Sequence, residues 1–419
     1  MTKANTQALK GFRDFLPQDL VIRQKVIDTL KRVFESYGFQ PLETPALEYA
    51  ETLLGKYGEE ADRLIYTFSD RGERKVGLRY DLTVPTARVL AQYADKADKI
   101  PLPFKRYQIQ PVWRAEKPQK GRYREFTQCD IDSFGSVSPL ADAEIIAVIF
   151  SSLKALNFEK FTIRINSRQV LFRLMNDLGI KDKNQQLSAL RAIDKLDKQS
   201  SQVVIAELKE KGFPEKLIKK LLYLIKAAKP DANLSELFSY LKRLGVNEKF
   251  WRFEPTLVRG LDYYTGPIFE TAVEKPKIGS ICGGGRYDNL VASLGGPNIP
   301  ATGTTLGLDR LCDVIKEQNL WPNLSPTPSL VLVTVFSPEL LEKSLALVSQ
   351  LRQQKINTEI YLEPTAKLDK QLKYANQKKI PYIVILGPDE VKTGQVTLKN
   401  MTLGVQEKIP QEKLVQKLS

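Results

Sequence analysis

Four side chains that could do chemistry, Arg259, Asp262, Tyr263 and Tyr264, crowd into the stretch that reads VRGLDYYTGPIFE from residue 258 to residue 270. The apolar residues around them predict a buried strand, where polar groups need partners. Gly266 weakens such a strand and indicates a close backbone approach. An arginine can hold an anion, a carboxylate can accept an N–H, and a tyrosine hydroxyl can do either. So much polar chemistry in a predicted interior requires a functional explanation.

The absence of histidine from all 419 residues restricts the available mechanisms. No imidazole can act as a base or as a metal ligand. The three cysteines, Cys129, Cys282 and Cys312, are far apart in the sequence. We therefore expect three buried, reduced thiols and no metal-ligating residues. Catalysis must use carboxylates, arginines, lysines, tyrosines, backbone dipoles or a metal ion that arrives with a substrate.

A second set of candidates lies between residues 112 and 126, in VWRAE and GRYREF. Arginine forks match phosphate oxygens and need no proton transfer, so Arg114 and Arg122 predict a phosphate site. Phe126 can offer its ring face to a base. The alternative is a solvated basic hairpin. Arg114 and Phe126 lie inside strand-like text and not at the hairpin tip, which favours the ligand site.

Two weaker motifs lie further along the chain, between residues 281 and 311. The sequence TGTTLGLDRL, residues 302–311, predicts a helix that carries Arg310. Taken alone, Arg310 is better explained as a surface arginine at the start of a helix. The sequence ICGGGRYDNL, residues 281–290, has three consecutive glycines, which permit close approach of a ligand or a strand. It lacks the GK[ST] ending of a phosphate-binding loop, so an ordinary turn remains open.

Two further motifs place acceptors where a helix begins and along a strand. In YDLT, Asp81 and Thr83 are either helix caps or ligand-binding groups. In QCDID, the side chains of Gln128, Asp130 and Asp132 share one face of a strand because side chains alternate. Three polar groups on one face indicate either solvent or a lined pocket.

Composition predicts a globular protein that binds a polyanion. Hydrophobic residues make up 42% of the chain and charged residues 27%. The formal net charge is +14, which favours a nucleic-acid partner. The sequence has no run of about 18 apolar residues and no apolar segment at its start. We therefore expect a cytoplasmic protein with no membrane partner.

The order of elements predicts an α+β fold in several parts. Strand-like and helical segments alternate up to residue 322, where we expect the first domain to end. It contains a Lys- and Leu-rich helical insertion at about 170–245. Residues 323–329 are rich in proline and predict a linker. Residues 330–419 show a βαβ-like pattern that is typical of a small α/β domain.

In this order, the motifs resemble those of histidyl-tRNA synthetases, a branch of the class II aminoacyl-tRNA synthetases, along essentially the whole chain. KGFRDFLP is similar to the start of the family, and GFQPLETPALE to its class II motif 1. The segments 113–132 and 302–311 look like motifs 2 and 3. LRYDLT and RGLDYYTG resemble the two stretches that mark the histidine branch. The implied fold is an antiparallel catalytic sheet flanked by helices, with the helical insertion and a C-terminal α/β anticodon-binding domain.

The resemblance assigns amino-acid recognition to side chains of three motifs. Arg259 would lie beside the α-phosphate and stabilise the charge that develops there. The other residues that the resemblance assigns to these motifs would bind the substrate histidine. Asp81, Thr83 and Gln128 would hold the α-ammonium group, Asp132 and Tyr264 would bind the two imidazole nitrogens, and Tyr263 would line the pocket.

The same resemblance assigns ATP and tRNA to the motif 2 and motif 3 residues. Arg114 would hold the α-phosphate and the activated carboxylate, and Arg310 would bind the γ-phosphate. Glu116 would accept a hydrogen bond from the adenine amino group, and Phe126 would stack on the adenine ring. Arg122 lies at the second basic position of motif 2. Gln119 would approach the acceptor end of tRNA.

The implied activity is that of a histidine–tRNA ligase. L-histidine and ATP, with Mg²⁺, would give histidyl-adenylate and pyrophosphate, and tRNA(His) would then take the histidyl group. Motif 1 implies a homodimer. Two alternatives stay open: the non-catalytic relative that regulates ATP phosphoribosyltransferase, and a prolyl or threonyl class II enzyme. The retained arginines and the C-terminal domain disfavour the first, and RGLDYY with LRYDLT disfavours the second.

Overall fold

The computed structural model describes residues 4–94, 100–119, 121–197, 199–259 and 261–418. The chain divides into two compact units, and each is considered by itself. The first comprises the residues up to Asp14 together with Lys25–Leu320. The second comprises Phe15–Gln24 together with the chain from Trp321 onward.

The strands of the first unit are β1 (Gln40–Pro41), β2 (Leu47–Tyr49), β3 (Thr67–Ser69), β4 (Lys75–Leu78), β5 (Phe104–Trp113), β6 (Glu125–Phe134), β7 (Phe161–Ser167), β8 (Trp251–Phe253), β9 (Pro267–Val273), β10 (Ser280–Arg286) and β11 (Ala301–Gly307). Helix α1 (Pro17–Ser36) has residues in both units. The other helices of the first unit are α2 (Ala50–Leu53), α3 (Glu59–Asp62), α4 (Thr83–Tyr93), α5 (Pro139–Ala155), α6 (Arg168–Asp177), α7 (Lys183–Ile193), α8 (Ser201–Glu210), α9 (Glu215–Lys226), α10 (Ala232–Arg243) and α11 (Leu308–Glu317).

An eight-stranded sheet forms the centre of the first unit, in the order β1-β5-β6-β11-β10-β9-β7-β8. The six central strands, β5-β6-β11-β10-β9-β7, pair with one another in antiparallel orientation. The two edge strands, β1 and β8, pair in parallel. A small sheet, β2-β4-β3, lies apart from it. The antiparallel sheet flanked by helices that the sequence predicted is therefore confirmed.

The large sheet has one apolar face and one polar face because side chains alternate along each strand. Cys129 and Ile131 of β6 lie opposite Leu306 and Thr304 of β11, and all four are buried. Helix α5 covers this apolar side and is itself apolar nearly all round, as a buried helix must be. The alternate positions of the same strands carry polar side chains and glycines, and this polar face holds the candidate site.

The helical insertion is confirmed as a run of helices from α6 to α10, over Arg168–Arg243. Most of these helices share a hydrophobic core that includes Met175, Leu190 and Ile193. Val258, which follows the insertion in sequence, packs into the same core.

The strand expected over residues 258–270 is shorter than predicted and begins only at Pro267. Residues 258–266 form a loop, hereafter the 258–266 loop, of which Gly260 lies outside the described residues. In this loop, the carbonyl oxygens of Arg259 and Leu261 accept hydrogen bonds from the side chain of Arg168 and not from a neighbouring strand.

The second unit contains a five-stranded mixed sheet in the order β13-β12-β14-β15-β16. Its elements are β12 (Val331–Val333), α12 (Leu341–Gln353), β13 (Thr358–Ile360), α13 (Leu368–Lys378), β14 (Tyr382–Ile385), α14 (Pro388–Thr393), β15 (Gln395–Asn400), β16 (Gln406–Pro410) and α15 (Leu414–Leu418). The parallel pairs β12–β13 and β12–β14 confirm the expected βαβ pattern. Within the described part of the chain, no helix has the length and apolarity that crossing a membrane requires.

Candidate active site

The polar face of β6 carries three buried side chains, Gln128, Asp130 and Asp132, as the alternation predicted. Gln128 Nε2 donates a hydrogen bond to Thr305 Oγ1 of β11 at 3.0 Å. Its Oε1 has no hydrogen-bond partner among the described residues. Of the two environments left open by the sequence, solvent or a lined pocket, the structure supports the pocket.

Asp132 is held by partners on two sides. Arg106 of β5, itself fully buried, places Nη2 2.6 Å from Asp132 Oδ2. The hydroxyl of Tyr287 donates to Asp132 Oδ1. Gly303, opposite Asp132 on β11, leaves the space that this carboxylate fills, because a Cβ at Gly303 would overlap it. The sequence predicted Asp132 but not Arg106 or Tyr287.

Asp130 lies between the other two residues of this face and is a buried carboxyl group. Burial raises its pKa to about 8; the charge of Arg106 opposes this shift, and the charge of Asp132 adds to it. Asp130 Oδ1 has no hydrogen-bond partner within the described part of the chain. Asp130 is therefore neutral near pH 7 before a ligand binds.

Asp81 combines the two roles that the sequence left open. Its Oδ1 accepts the backbone N–H of Val84 at 3.0 Å, in the first turn of α4, and the hydroxyl of Tyr57 at 2.9 Å. Its buried Oδ2 has no hydrogen-bond partner among residues that the structure describes. Burial raises the pKa of Asp81, and its hydrogen bonds partly offset the shift. Thr83 is the first residue of α4. Asp81 thus caps the helix with one oxygen and leaves the other for a ligand.

The 258–266 loop places the guanidinium of Arg259 directly over Gly283 of β10. A Cβ at Gly283 would overlap Arg259 Nη1, so only glycine leaves this space. Arg259 Nη1 lies 4.0 Å from Glu270 Oε2, and its guanidinium carbon lies 5.8 Å from the centre of the Tyr264 ring. The consecutive glycines of β10 are therefore part of a strand that forms the floor of the site, and the turn considered from sequence is wrong.

Tyrosine rings form one wall beside this arginine. The rings of Tyr263 and Tyr264 are 4.8 Å apart, and those of Tyr263 and Tyr287 are 5.8 Å apart. Tyr57 lies 4.8 Å from Tyr80 and 6.4 Å from Tyr263. Burial raises the pKa of the Tyr263 hydroxyl well above its usual value, with neighbouring Tyr264 and Asp81 adding to the shift. The Tyr263 hydroxyl is therefore neutral and can donate or accept a hydrogen bond.

Arg114 and Phe126 come together at the ends of the β5–β6 hairpin. Arg114 Nε donates to the carbonyl oxygen of Tyr80 at 3.1 Å. The Arg114 guanidinium lies 4.2 Å from the centre of the Tyr80 ring and 5.0 Å from that of Phe126. Arg122 pairs with Glu116 at 2.7 Å. Gln119 is exposed at the loop end and pairs with Arg122 through backbone hydrogen bonds.

Arg310 on α11 joins these two arginines in a cationic cluster. Burial lowers the pKa of Arg310, and the charges of Arg122 and Arg114 lower it further. Its Nε donates to the carbonyl oxygen of Gly121 at 3.3 Å, and its Nη1 donates to that of Ser280. Three guanidinium groups that repel one another form a site suited to a polyphosphate, since an anion removes the repulsion.

The N-terminal segment supports this cluster, and the sequence alone did not predict this contact. The carbonyl oxygen of Gly11 accepts the backbone N–H of Arg124 at 2.9 Å. Arg13 pairs with Asp309 of α11 at 2.7 Å and stacks 3.2 Å from the centre of the Tyr123 ring. The segment KGFRDF therefore connects the β5–β6 hairpin to α11.

The predicted residues thus fall into two adjoining groups on one face of the sheet, with Gln119 at the outer end of the hairpin. The structure adds four residues that the sequence did not indicate: Tyr57, Arg106, Arg168 and Tyr287. All four are buried. A search for polar residues at predicted buried positions of β5 would have found Arg106.

Comparison with known proteins gives a consistent result. The profile of the family described as Histidyl-tRNA synthetase matches residues 11–311, and the profile of the Anticodon binding domain matches residues 330–419. A histidine–tRNA ligase from Gloeobacter violaceus is 42% identical, over 96% of this chain and 95% of its own length. One from Cytophaga hutchinsonii is 39% identical, over 98% of each chain. The crystal structure of histidyl-tRNA synthetase from Nostoc sp. is 31% identical with a TM-score of 0.85 and covers 99% of both chains.

Proposed function

The chain belongs to the histidyl-tRNA synthetase family, and we propose that the polar face of its large sheet activates L-histidine with ATP and then charges tRNA(His). One observation carries this proposal. A buried pocket of carboxylates and tyrosines adjoins a cluster of three arginines on the same face. The pocket suits a small zwitterion with a donor and an acceptor on its ring, and the cluster suits a triphosphate.

The proposed histidine site uses the groups that the pocket leaves available. The free oxygens of Asp81 and Gln128, with Thr83, receive the α-ammonium group. Asp132 accepts the imidazole N–H, and the hydroxyl of Tyr264 donates to the other ring nitrogen. A competitor without these ring nitrogens would lose both hydrogen bonds, which is the basis of its rejection. Tyr263 closes the wall of the pocket.

The proposed ATP site spans the hairpin and α11. Arg114 and Arg259 bind the α-phosphate, and Arg310 binds the γ-phosphate. Phe126 stacks on the adenine ring, and Glu116 accepts a hydrogen bond from the adenine amino group. Arg122 pairs with Glu116 and holds it in place. Nothing in this arrangement requires a protein base, because the histidine carboxylate is already ionised.

In the proposed activation step, a carboxylate oxygen of histidine attacks the α-phosphorus and the bond to pyrophosphate breaks. Negative charge grows on the α-phosphate oxygens, where fixed guanidinium groups stabilise it without reorganisation. We propose that Mg²⁺ enters with ATP, since no group of three potential metal-ligating side chains occurs among the described residues. The ion would neutralise charge on the leaving pyrophosphate.

Three further proposals concern the whole chain. Residues 1–322 form the catalytic domain, 323–329 the linker, and 330–419 the domain that binds the anticodon, while Gln119 contacts the acceptor end. Residues 38–48, similar to motif 1, form the interface of a homodimer, which sedimentation would test. The protein acts in the cytoplasm, where ATP and tRNA(His) are available.

Amino-acid-dependent exchange between ATP and pyrophosphate tests the proposal directly. The assay is run with each of the twenty amino acids and without tRNA. We expect exchange with histidine alone. Exchange with a different amino acid would overturn the histidine site. A folded protein that binds histidine but gives no exchange would instead support the regulatory, non-catalytic alternative.

A further inference from the structure

The 258–266 loop carries three residues of the proposed site but has little regular structure of its own. Its first residue, Val258, packs into the hydrophobic core of the helical insertion. Leu261, Tyr263 and Tyr264 pack instead in a core of the catalytic sheet, together with Tyr57 and Tyr287. The loop therefore bridges two separately packed regions, and its conformation depends on both.

Arg168, the first residue of α6, holds the backbone of this loop. Its side chain is 1% exposed. Its Nη2 donates to the carbonyl oxygens of Arg259 and of Leu261, the latter at 2.9 Å. Its backbone N–H donates to the carbonyl oxygen of Gly266 at 2.9 Å. One residue of the insertion thus fixes the loop at Arg259, at Leu261 and at its end.

Arg191 on α7 makes a second connection from the insertion to the loop. Its Nη1 lies 2.8 Å from Oδ2 of Asp262, the residue before Tyr263. The two side chains are 39% and 22% exposed, so this ion pair is weaker than the buried contact made by Arg168. Asp262 also packs over Gly58, where a Cβ would lie 2.8 Å from its carboxylate.

We propose that the helical insertion positions the activation site, with Arg168 setting Arg259 over Gly283 and the Arg191–Asp262 pair setting Tyr263 and Tyr264. This inference rests on the proposed function of the site. The side-chain hydrogen bonds of Arg168 go to the loop backbone and the ion pair of Arg191 goes to Asp262, so both are positioning residues. The insertion is then part of the histidine-activating machinery, even before any tRNA binds.

The two contacts have different expected effects. In Arg168→Lys the charge remains, but the Nη2 group that donates to both carbonyls is lost. Arg259 then loses its fixed position, and kcat of the exchange falls about 10- to 100-fold, the size expected for a charged hydrogen bond. Arg191→Gln loosens the tyrosines and raises KM for histidine about two- to five-fold, with kcat nearly unchanged.

Two ion pairs of the insertion serve as controls, because neither has a described contact with the 258–266 loop. Lys219→Gln breaks the pair with Glu215 on α9, at 2.7 Å, and should change neither kcat nor KM. Lys195→Gln breaks the Lys195–Glu207 pair of the insertion, at 2.9 Å and with exposures of 40% and 20%, and should change neither constant.

The test combines exchange kinetics with calorimetric histidine binding on the full chain. Asp262→Asn and Arg191→Gln should raise KM for histidine equally, and the double variant should raise it no further. Additive effects, or effects no larger than those of the controls after correction for the folded fraction, would overturn the proposal. If the unmodified protein gives no exchange, the proposed function fails and the same comparison is made on histidine affinity. If it does not bind histidine either, the inference fails with it.

Discussion

At the scale of single residues, Asp130 is an acid whose pKa burial raises to about 8. It is a buried acid between Asp132 and Gln128, and Arg106, Asp132 and Asp81 are the charged groups that act on it. An Asp with a pKa of about 8 in the folded protein and an ordinary value near 3.8 keeps a proton that the unfolded chain releases. Between these two values, the folded state therefore loses stability as the pH rises.

This argument predicts the effect of Asp130→Asn, which imitates the protonated acid at every pH. The free energy of unfolding of the variant, relative to the unmodified protein, should increase between pH 5 and pH 8, by at most about 1.4 kcal/mol per pH unit. Urea denaturation at four pH values measures it. Asp14→Asn, at an exposed position, is the control and should give a flat difference. A flat difference for Asp130→Asn would show that this carboxyl ionises normally.

At the scale of elements, the glycines of β10 divide between the two faces of the sheet. Gly283 lies on the polar face under Arg259, whereas Gly284 lies on the opposite face against the backbone of β11. A Cβ at Gly283 would meet only the end of a flexible side chain. A Cβ at Gly284 would overlap the carbonyl oxygen of Gly303 and lie 2.6 Å from the Cα of Thr304, which cannot move without breaking the ladder.

The two neighbouring substitutions should therefore fail in different ways. Gly283→Ala should displace Arg259 and lower kcat of the exchange about 10- to 100-fold, with little change in unfolding temperature. Gly284→Ala should destabilise the fold by about 1–3 kcal/mol because backbone atoms must shift. Thermal unfolding together with exchange kinetics distinguishes them. Equal loss of stability in both variants would contradict the assignment of Gly283 to the site.

At the scale of the whole molecule, the proposed chemistry is consistent with a chain that has no histidine. Both proposed steps use arginines, carboxylates and tyrosines only, so no imidazole is needed. A protein that charges histidine, and contains none, could still be synthesised when charged tRNA(His) is scarce.

Synthesis of this protein should therefore persist in cells starved of histidine, relative to proteins that contain histidine. Pulse labelling during starvation measures the ratio. A variant with two histidines placed at exposed positions, Lys379→His and Lys408→His, is the control, and its synthesis should decline with that of other proteins. Equal decline of the unmodified protein would contradict the idea.

The sequence alone determined the class of the fold and most of the proposed site. Alternation along β6 placed Gln128 and Asp132 on one face, since a strand fixes side-chain direction with a period of two. The helical period of the insertion and the βαβ pattern after residue 330 fixed the other parts. Arg114 and Arg259 were found because a charge is costly at a buried position without a partner. Phe126 was found because its ring, beside these charges, can stack on a base.

Only the tertiary structure decided how residues far apart in sequence meet. Arg106 and Tyr287 converge on Asp132 because three strands carry them to one place, and no local pattern encodes that pairing. The expected strand over 258–266 proved to be a loop because Arg168, about ninety residues earlier, takes the carbonyls that a ladder would have used. The GGG run proved to be strand because packing across both faces left no room for a Cβ. Local sequence sets what each segment can do, and long-range contacts select which of those conformations is stable.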